Sequence, residues 1–141
     1  MGGRRVDCGT RIWSLIDQSL LYFIDGRDDY AVRKWRAFDS SPLVDATSDT
    51  LIQCGENGVL YTLKLNTKFE NGKVSISPET VRYVYEQSID GQVGTENSLA
   101  IYDHYTYFAN NVGIIQCVDL NTMELKWCFN AQDDIDASLV I

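Results

Sequence analysis

The sequence predicts an all-β protein built from antiparallel strands, and three observations carry that expectation. Short runs rich in Val, Ile, Tyr, Phe and Thr recur along the chain, each closed by Gly, Asn or Asp, which is how strands and their turns read. No window keeps apolar residues at helical spacing for the length a helix needs, so helix is expected to be minimal. The stretch "GVLYTLKLNT" (58–67) returns as "GIIQCVDLNT" (113–122), and such self-similarity marks a structure assembled from like units.

Taken in chain order, the strand candidates are "RIWSLID", "LLYFID", "TLIQCG", "VLYTLKL", "VRYVYE", "YTYFAN", "IIQCVDL" and "ELKWCF". The segment 13–23, "WSLIDQSLLYF", reads as the last two strands of a first, partial unit, with "DQS" standing where the later copies have "LNT". "SPLV" (41–44) precedes the first full copy and "SLAI" (98–101) the second, while "SLVI" (138–141) reads as the first strand of a further unit. "KFENGKVSISPE" (68–79) enlarges one hairpin of the first full copy. The organisation expected is a tail over 1–10, a partial unit over 11–40, full units over 41–95 and 96–136, and one strand over 137–141.

The clearest hairpin is "CVDLNTMELKWCF" (117–129). A two-residue turn at Thr122 and Met123 would pair Leu120 with Leu125 and Val118 with Trp127 on one face, and Asp119 with Lys126 and Cys117 with Cys128 on the other. Trp127 is then expected to be buried among aliphatic neighbours. Cys117 and Cys128 would face each other, so a cross-strand disulfide is weighed against two free thiols. Asn121 and Thr122 supply turn chemistry through their side chains. Apolar residues on both faces of these strands suit small sheets packed from both sides.

These residues resemble the repeat of the PQQ-like, or quinoprotein-like, β-propellers, whose blades carry an Ala-Leu-Asp, x-x, Thr-Gly, x-x-x, Trp pattern filled here by Val118, Asp119, Thr122 and Trp127. "SSPLVDA" and "GENGVLYTL" are similar to the family's first strand and its Gly-rich approach to the third. Met123 stands where the family has glycine, and Lys64 where the first full copy would have aspartate. The resemblance implies an incomplete propeller of about three four-stranded blades. It also implies that Asp119, Thr122 and Trp127 dock neighbouring blades, and that the protein is bacterial and periplasmic or extracellular.

Length and charge bound the function. A chain of 141 residues can close one core. Its formal charge of −8 repels phosphate backbones and anionic lipid, so neither nucleic acid nor a membrane surface is expected as a partner. No apolar run approaches the roughly 18 residues that membrane insertion needs. "MGGRRVDCGTRIW" has no apolar stretch of signal-peptide length behind it. Four cysteines without Cys-x-x-Cys spacing and a single histidine, His104, do not form a zinc pattern. "DGRDD" (25–29) and "QDDID" (132–136) are oxygen-rich, but neither follows the calcium-loop order and both read as solvated loops. His104 lacks a companion nucleophile and reads as packing or surface. "ENG" and "NNVG" read as turns rather than phosphate loops.

Tyr102, Tyr105, Tyr107, Phe108, Trp13, Trp35, Tyr22 and Tyr30 could line a binding surface, although alternation points most of them into packing. Trp35, within the charged "VRKWRAFD", is the candidate for surface binding. Three functions follow. The first is a non-catalytic scaffold that binds a protein or polymer and needs no cofactor. The second is a sensor that dimerises through open sheets, a homo-oligomer. The third is a fragment of a quinone-dependent dehydrogenase, which would need PQQ and calcium; the chain has too few units and no adjacent cysteine pair for that.

Overall fold

Among the described residues, alternation of β-branched and aromatic residues between tight turns gives twelve strands and no helix. The computed structural model describes residues 8–32, 35–85 and 94–141. Most of the tail expected over 1–10, and parts of the segments "VRKWRAFD" and "VRYVYE", lie outside them.

The first sheet is a hairpin of β1 (Gly9–Trp13) and β2 (Leu20–Asp25). The middle sheet is a four-stranded antiparallel meander of β3 (Leu43–Asp45), β4 (Thr50–Cys54), β5 (Val59–Lys64) and β8 (Glu79–Val84). Between β5 and β8, the short strands β6 (Lys68–Glu70) and β7 (Lys73–Ser75) form a separate hairpin, the enlargement expected at 68–79. The last sheet orders β9 (Ala100–Tyr102), β10 (Tyr105–Ala109), β11 (Ile114–Asp119) and β12 (Glu124–Asn130) as a second meander. The segment 138–141 forms no strand, although "SLVI" reads as one.

The three sheets stack face to face around two apolar cores. Ile24 of β2, with Ile12 and Tyr22, packs on Leu51, Val59, Tyr61 and Leu63 of the middle sheet. The opposite face of the middle sheet, with Ile52, Cys54 and Leu60, packs on Leu99, Phe108 and Val118 of the last. Burial on both faces explains why β4 and β5 read as nearly continuous apolar runs. Tyr85 sits in the second core at 4.9 Å from Phe108, and its hydroxyl donates to Gly55 O at 3.0 Å while accepting the Gly55 N–H. A buried phenol is thereby satisfied.

The two meanders share one register. Thr50 pairs with Lys64 and Cys54 with Leu60, as Tyr105 pairs with Asp119 and Ala109 with Ile115. Turn bonds repeat as well: the Gly55 N–H donates to Val59 O and the Asn110 N–H to Ile114 O. Gly58 and Gly113 both hold positive φ, 86° and 81°, at the start of β5 and β11, a conformation that costs glycine little. "ENG" and "NNVG" are therefore turns.

The two-residue turn and the register expected at the β11–β12 hairpin are corrected. Asp119 pairs with Glu124 and Val118 with Leu125, after which a bulge puts Cys117 opposite Trp127 and Gln116 opposite Cys128. The cause is the turn. The Asp119 carboxylate accepts the Asn121 and Thr122 N–H groups at 2.9 and 3.3 Å, and the Met123 N–H bonds Asp119 O at 2.7 Å with Met123 at φ 55°. The chain therefore turns directly after Asp119 over four residues, and Lys126 becomes the extra residue of the bulge. Cys117 and Cys128 are not bridged; all four cysteines are free thiols.

Candidate binding surface

The last sheet has one face in the core and one face outward. Because strand residues alternate, pairing of Tyr102 with Tyr105, Tyr107 with Cys117, Cys117 with Trp127 and Ile115 with Phe129 puts all of these on the outward face. Trp127 is 47% exposed, Phe129 59% and Tyr102 65%. The burial expected for Trp127 is thus not observed: it lies on the side opposite Val118, where its described ring partner is Tyr107 at 5.9 Å. A contiguous aromatic patch on a sheet face is a surface suited to association.

Acidic and basic groups rim this patch. Asp119 is nearly buried, yet the Asn121 and Thr122 N–H groups and Lys126 outweigh that burial and hold its carboxyl below the ordinary carboxylate value. Lys126 Nζ lies 3.4 Å from Asp119 Oδ2. His104 Nδ1 is 2.8 Å from Asp103 Oδ2, and its ring stacks on Tyr105 at 4.0 Å. His104 is therefore a rim group of a charged cluster.

A groove of about 640 Å³ opens between the middle and last sheets at the same rim, lined by Ile52, Thr62, Lys64, Ile101, His104 and Leu120. Its apolar floor continues the core, and Lys64 Nζ donates to Ser48 O at its wall.

Each candidate from the sequence can now be placed. Asp119 and Thr122 meet within one turn, through the carboxylate and a backbone N–H, whereas Trp127 stands across the ladder from Cys117. In the middle sheet Lys64 occupies the place of Asp119, and the equivalent cap is supplied by Asp49, whose carboxylate accepts the Thr67 N–H and hydroxyl. Trp35 is exposed in an irregular segment. Phe108 packs in the second core and Tyr22 against the first.

The loop "DGRDD" is not simply solvated. Asp25 pairs with Arg27 at 2.8 Å, and Asp28 is an ordered clamp: its Oδ2 accepts Arg82 Nε at 2.7 Å and the Tyr61 hydroxyl at 3.2 Å. Asn57 completes the group by donating to the Tyr61 hydroxyl at 2.8 Å and to Gly26 O at 3.2 Å. Burial works against the Asp28 carboxylate, but the Tyr30 N–H, Arg82 and Tyr61 together hold it below its ordinary 3.8. This clamp ties the first hairpin to the middle sheet. Among the described residues, no group of three or more His, Cys, Asp or Glu side chains has the arrangement of a metal site, and no helix is long and apolar enough to cross a membrane.

Sequence reasoning overlooked Phe129 and the Asp28–Arg82 clamp. Phe129 could have been found, because it keeps the alternation of "ELKWCFN" with Trp127. The clamp joins residues 54 positions apart, and no local pattern signals it. No protein-family model and no curated protein matches the chain.

Proposed function

We propose that this chain is a non-catalytic binding scaffold, a segment of PQQ-like β-propeller architecture whose sheets serve as blades. The observation that carries the reading is the outward face of β9–β12: an aromatic sheet face of Tyr102, Tyr107, Trp127 and Phe129, with Tyr102 and Phe129 more than half exposed and Trp127 47% exposed. Two supports join it. The meanders repeat one register and stack with one polarity, as radially arranged sheets do, and the face is rimmed by charges that would orient a partner. The partner is a protein or polymer, and the setting is extracytoplasmic by the same resemblance. Proposed docking roles fall to Asp119 and Thr122, which set the turn, and to Trp127, which supplies the contact.

The test uses an environment-sensitive apolar dye on the dilute chain. Saturable binding that Phe129→Lys abolishes is expected; no binding, or binding indifferent to Phe129→Lys, would overturn the assignment of this face. A saturable rise in Tm on adding PQQ with calcium would overturn the non-catalytic reading.

A further inference from the structure

We propose that the outward face of β9–β12 receives the outer face of the β1–β2 hairpin of a second copy of this chain, head to tail. The proposal rests on the scaffold reading and names the occupant of its open face.

The first hairpin and the last one are built alike. In β1–β2, Ile12 pairs with Tyr22 and Trp13 with Leu20 across a bulge; in β11–β12, Cys117 pairs with Trp127 and Val118 with Leu125 across the same bulge. Ile12, Tyr22 and Ile24 therefore stand where Cys117, Trp127 and Phe129 stand. The middle sheet repeats the relation, with Ile52, Cys54 and Leu60 at the places of Tyr107, Ala109 and Ile115. In the first two sheets this face is covered by the next sheet in the stack. In the last sheet it is open.

The opposite end supplies the complementary face. Val118 and Leu125 pack the last sheet against the middle one, and their counterparts in the first hairpin, Trp13 and Leu20, are 51% and 48% exposed. Arg11 holds the place of Gln116, whose Oε1 accepts the Tyr83 hydroxyl at 3.1 Å. Since Phe129 stands where Tyr83 does, the equivalent contact between copies sets the Arg11 guanidinium against Phe129, as it already covers Phe23 at 4.3 Å. One chain thus exposes both halves of a contact it makes twice internally.

The Ser41 N–H donates to Ser98 Oγ at 3.3 Å, and the Ser98 N–H to Ser138 Oγ at 3.1 Å, so like positions of successive units are linked in sequence. A contact between two different faces is heterologous, and it generates rings or open filaments rather than an isolated dimer. Copies bearing a charge of −8 repel one another, so association should strengthen with added salt.

The experiment is sedimentation and light scattering of the 141-residue chain across a concentration series. The expected result is a mass that grows beyond the monomer, with Phe129→Lys and Trp13→Glu each leaving folded monomers. Mixing those two variants should restore a dimer and nothing larger, because one intact head and one intact tail remain. Tyr102→Lys and Leu20→Lys serve as the second pair should either variant fail to fold. A wild-type chain that stays monomeric would overturn the proposal, as would association that survives Trp13→Glu but not Phe129→Lys, the signature of a two-fold tail-to-tail dimer. A monomer that still binds the dye at Phe129 would sink this proposal alone and leave the scaffold reading standing.

Discussion

The rings of Tyr107 and Trp127 stand 5.9 Å apart, tilted by 46°, on the outward face of the last sheet. Trp127 is the terminal aromatic of a pairwise contact, with water over about half its surface. Trp127→Ala should therefore cost only about 1 kcal/mol, since it forfeits one aromatic pair and partial burial rather than a core side chain. Urea melts monitored by circular dichroism check this. A loss of 3 kcal/mol or more, the roughly typical cost of truncating a buried aromatic, would mean that Trp127 is covered.

Phe108 gives the contrast. It is fully buried between Tyr83 and Tyr85 at the junction of the middle and last sheets. Phe108→Ala should cost about 3 to 5 kcal/mol in the same melts. A cost near that of Trp127→Ala would contradict face-to-face packing of these two sheets.

Asp28 holds the first hairpin through Arg82 and Tyr61. Asp28→Ala should destabilise by about 1 to 3 kcal/mol, because it removes charge-assisted bonds and leaves Arg82 and the Tyr61 hydroxyl to find other partners. The carboxyl is held below 3.8 in the folded chain, so its contribution is present above that value and is lost as the pH falls through the lower folded value. The difference in stability between wild type and Asp28→Asn should shrink between pH 5 and about pH 2. A difference that is constant across that range would show that the clamp is not formed.

At alkaline pH the sign reverses. Burial pushes the Cys54 thiol up to about 12 from an ordinary 9.0, and burial likewise raises the Tyr85 and Tyr61 hydroxyls. The unfolded chain then releases a proton that folded Cys54 keeps, so stability falls as the pH rises from 9 toward 12, by about 1.4 kcal/mol per pH unit for each proton withheld. Cys54→Ala should flatten part of that slope in melts at pH 8 and pH 10.5. Because the four thiols are free, a reducing agent should leave Tm unchanged at pH 7.

Gly113 is held at φ 81°, and a Cβ there would stand 2.1 Å from Asp133 O. Gly113→Ala must strain the backbone and displace the segment after β12, so a loss of more than about 1 kcal/mol is expected. Thermal melts check it, and an unchanged Tm would contradict this turn geometry.

The all-β class and the like units were legible because strand alternation and the repeat at 58–67 and 113–122 are local signals. The insertion at 68–79 was legible for the same reason; the first hairpin was legible only as a hairpin, because its strands are Gly9–Trp13 and Leu20–Asp25 and the chain turns from residue 14, earlier than the expected "DQS". The register of β11–β12 was not. An even alternation cannot reveal that the Asp119 carboxylate starts the turn early, and Lys126 is polar whether paired or bulged. Exposure of Trp127 was hidden with it: an even hairpin sets Trp127 opposite Val118 on the core face, whereas the bulge at Lys126 sets it opposite Cys117 on the outward face. Asp28 and Arg82 meet only after two sheets have packed.

Hydroxyl-radical footprinting of the dilute monomeric chain, read residue by residue, tests most directly that two stacked cores leave one aromatic sheet face open. Rapid labelling of Trp127, Phe129 and Tyr102 with protection of Tyr61, Tyr85 and Phe108 is the predicted pattern. Protection of Trp127 and Phe129 in the monomer, or labelling of Tyr85 and Phe108 alongside them, would contradict it.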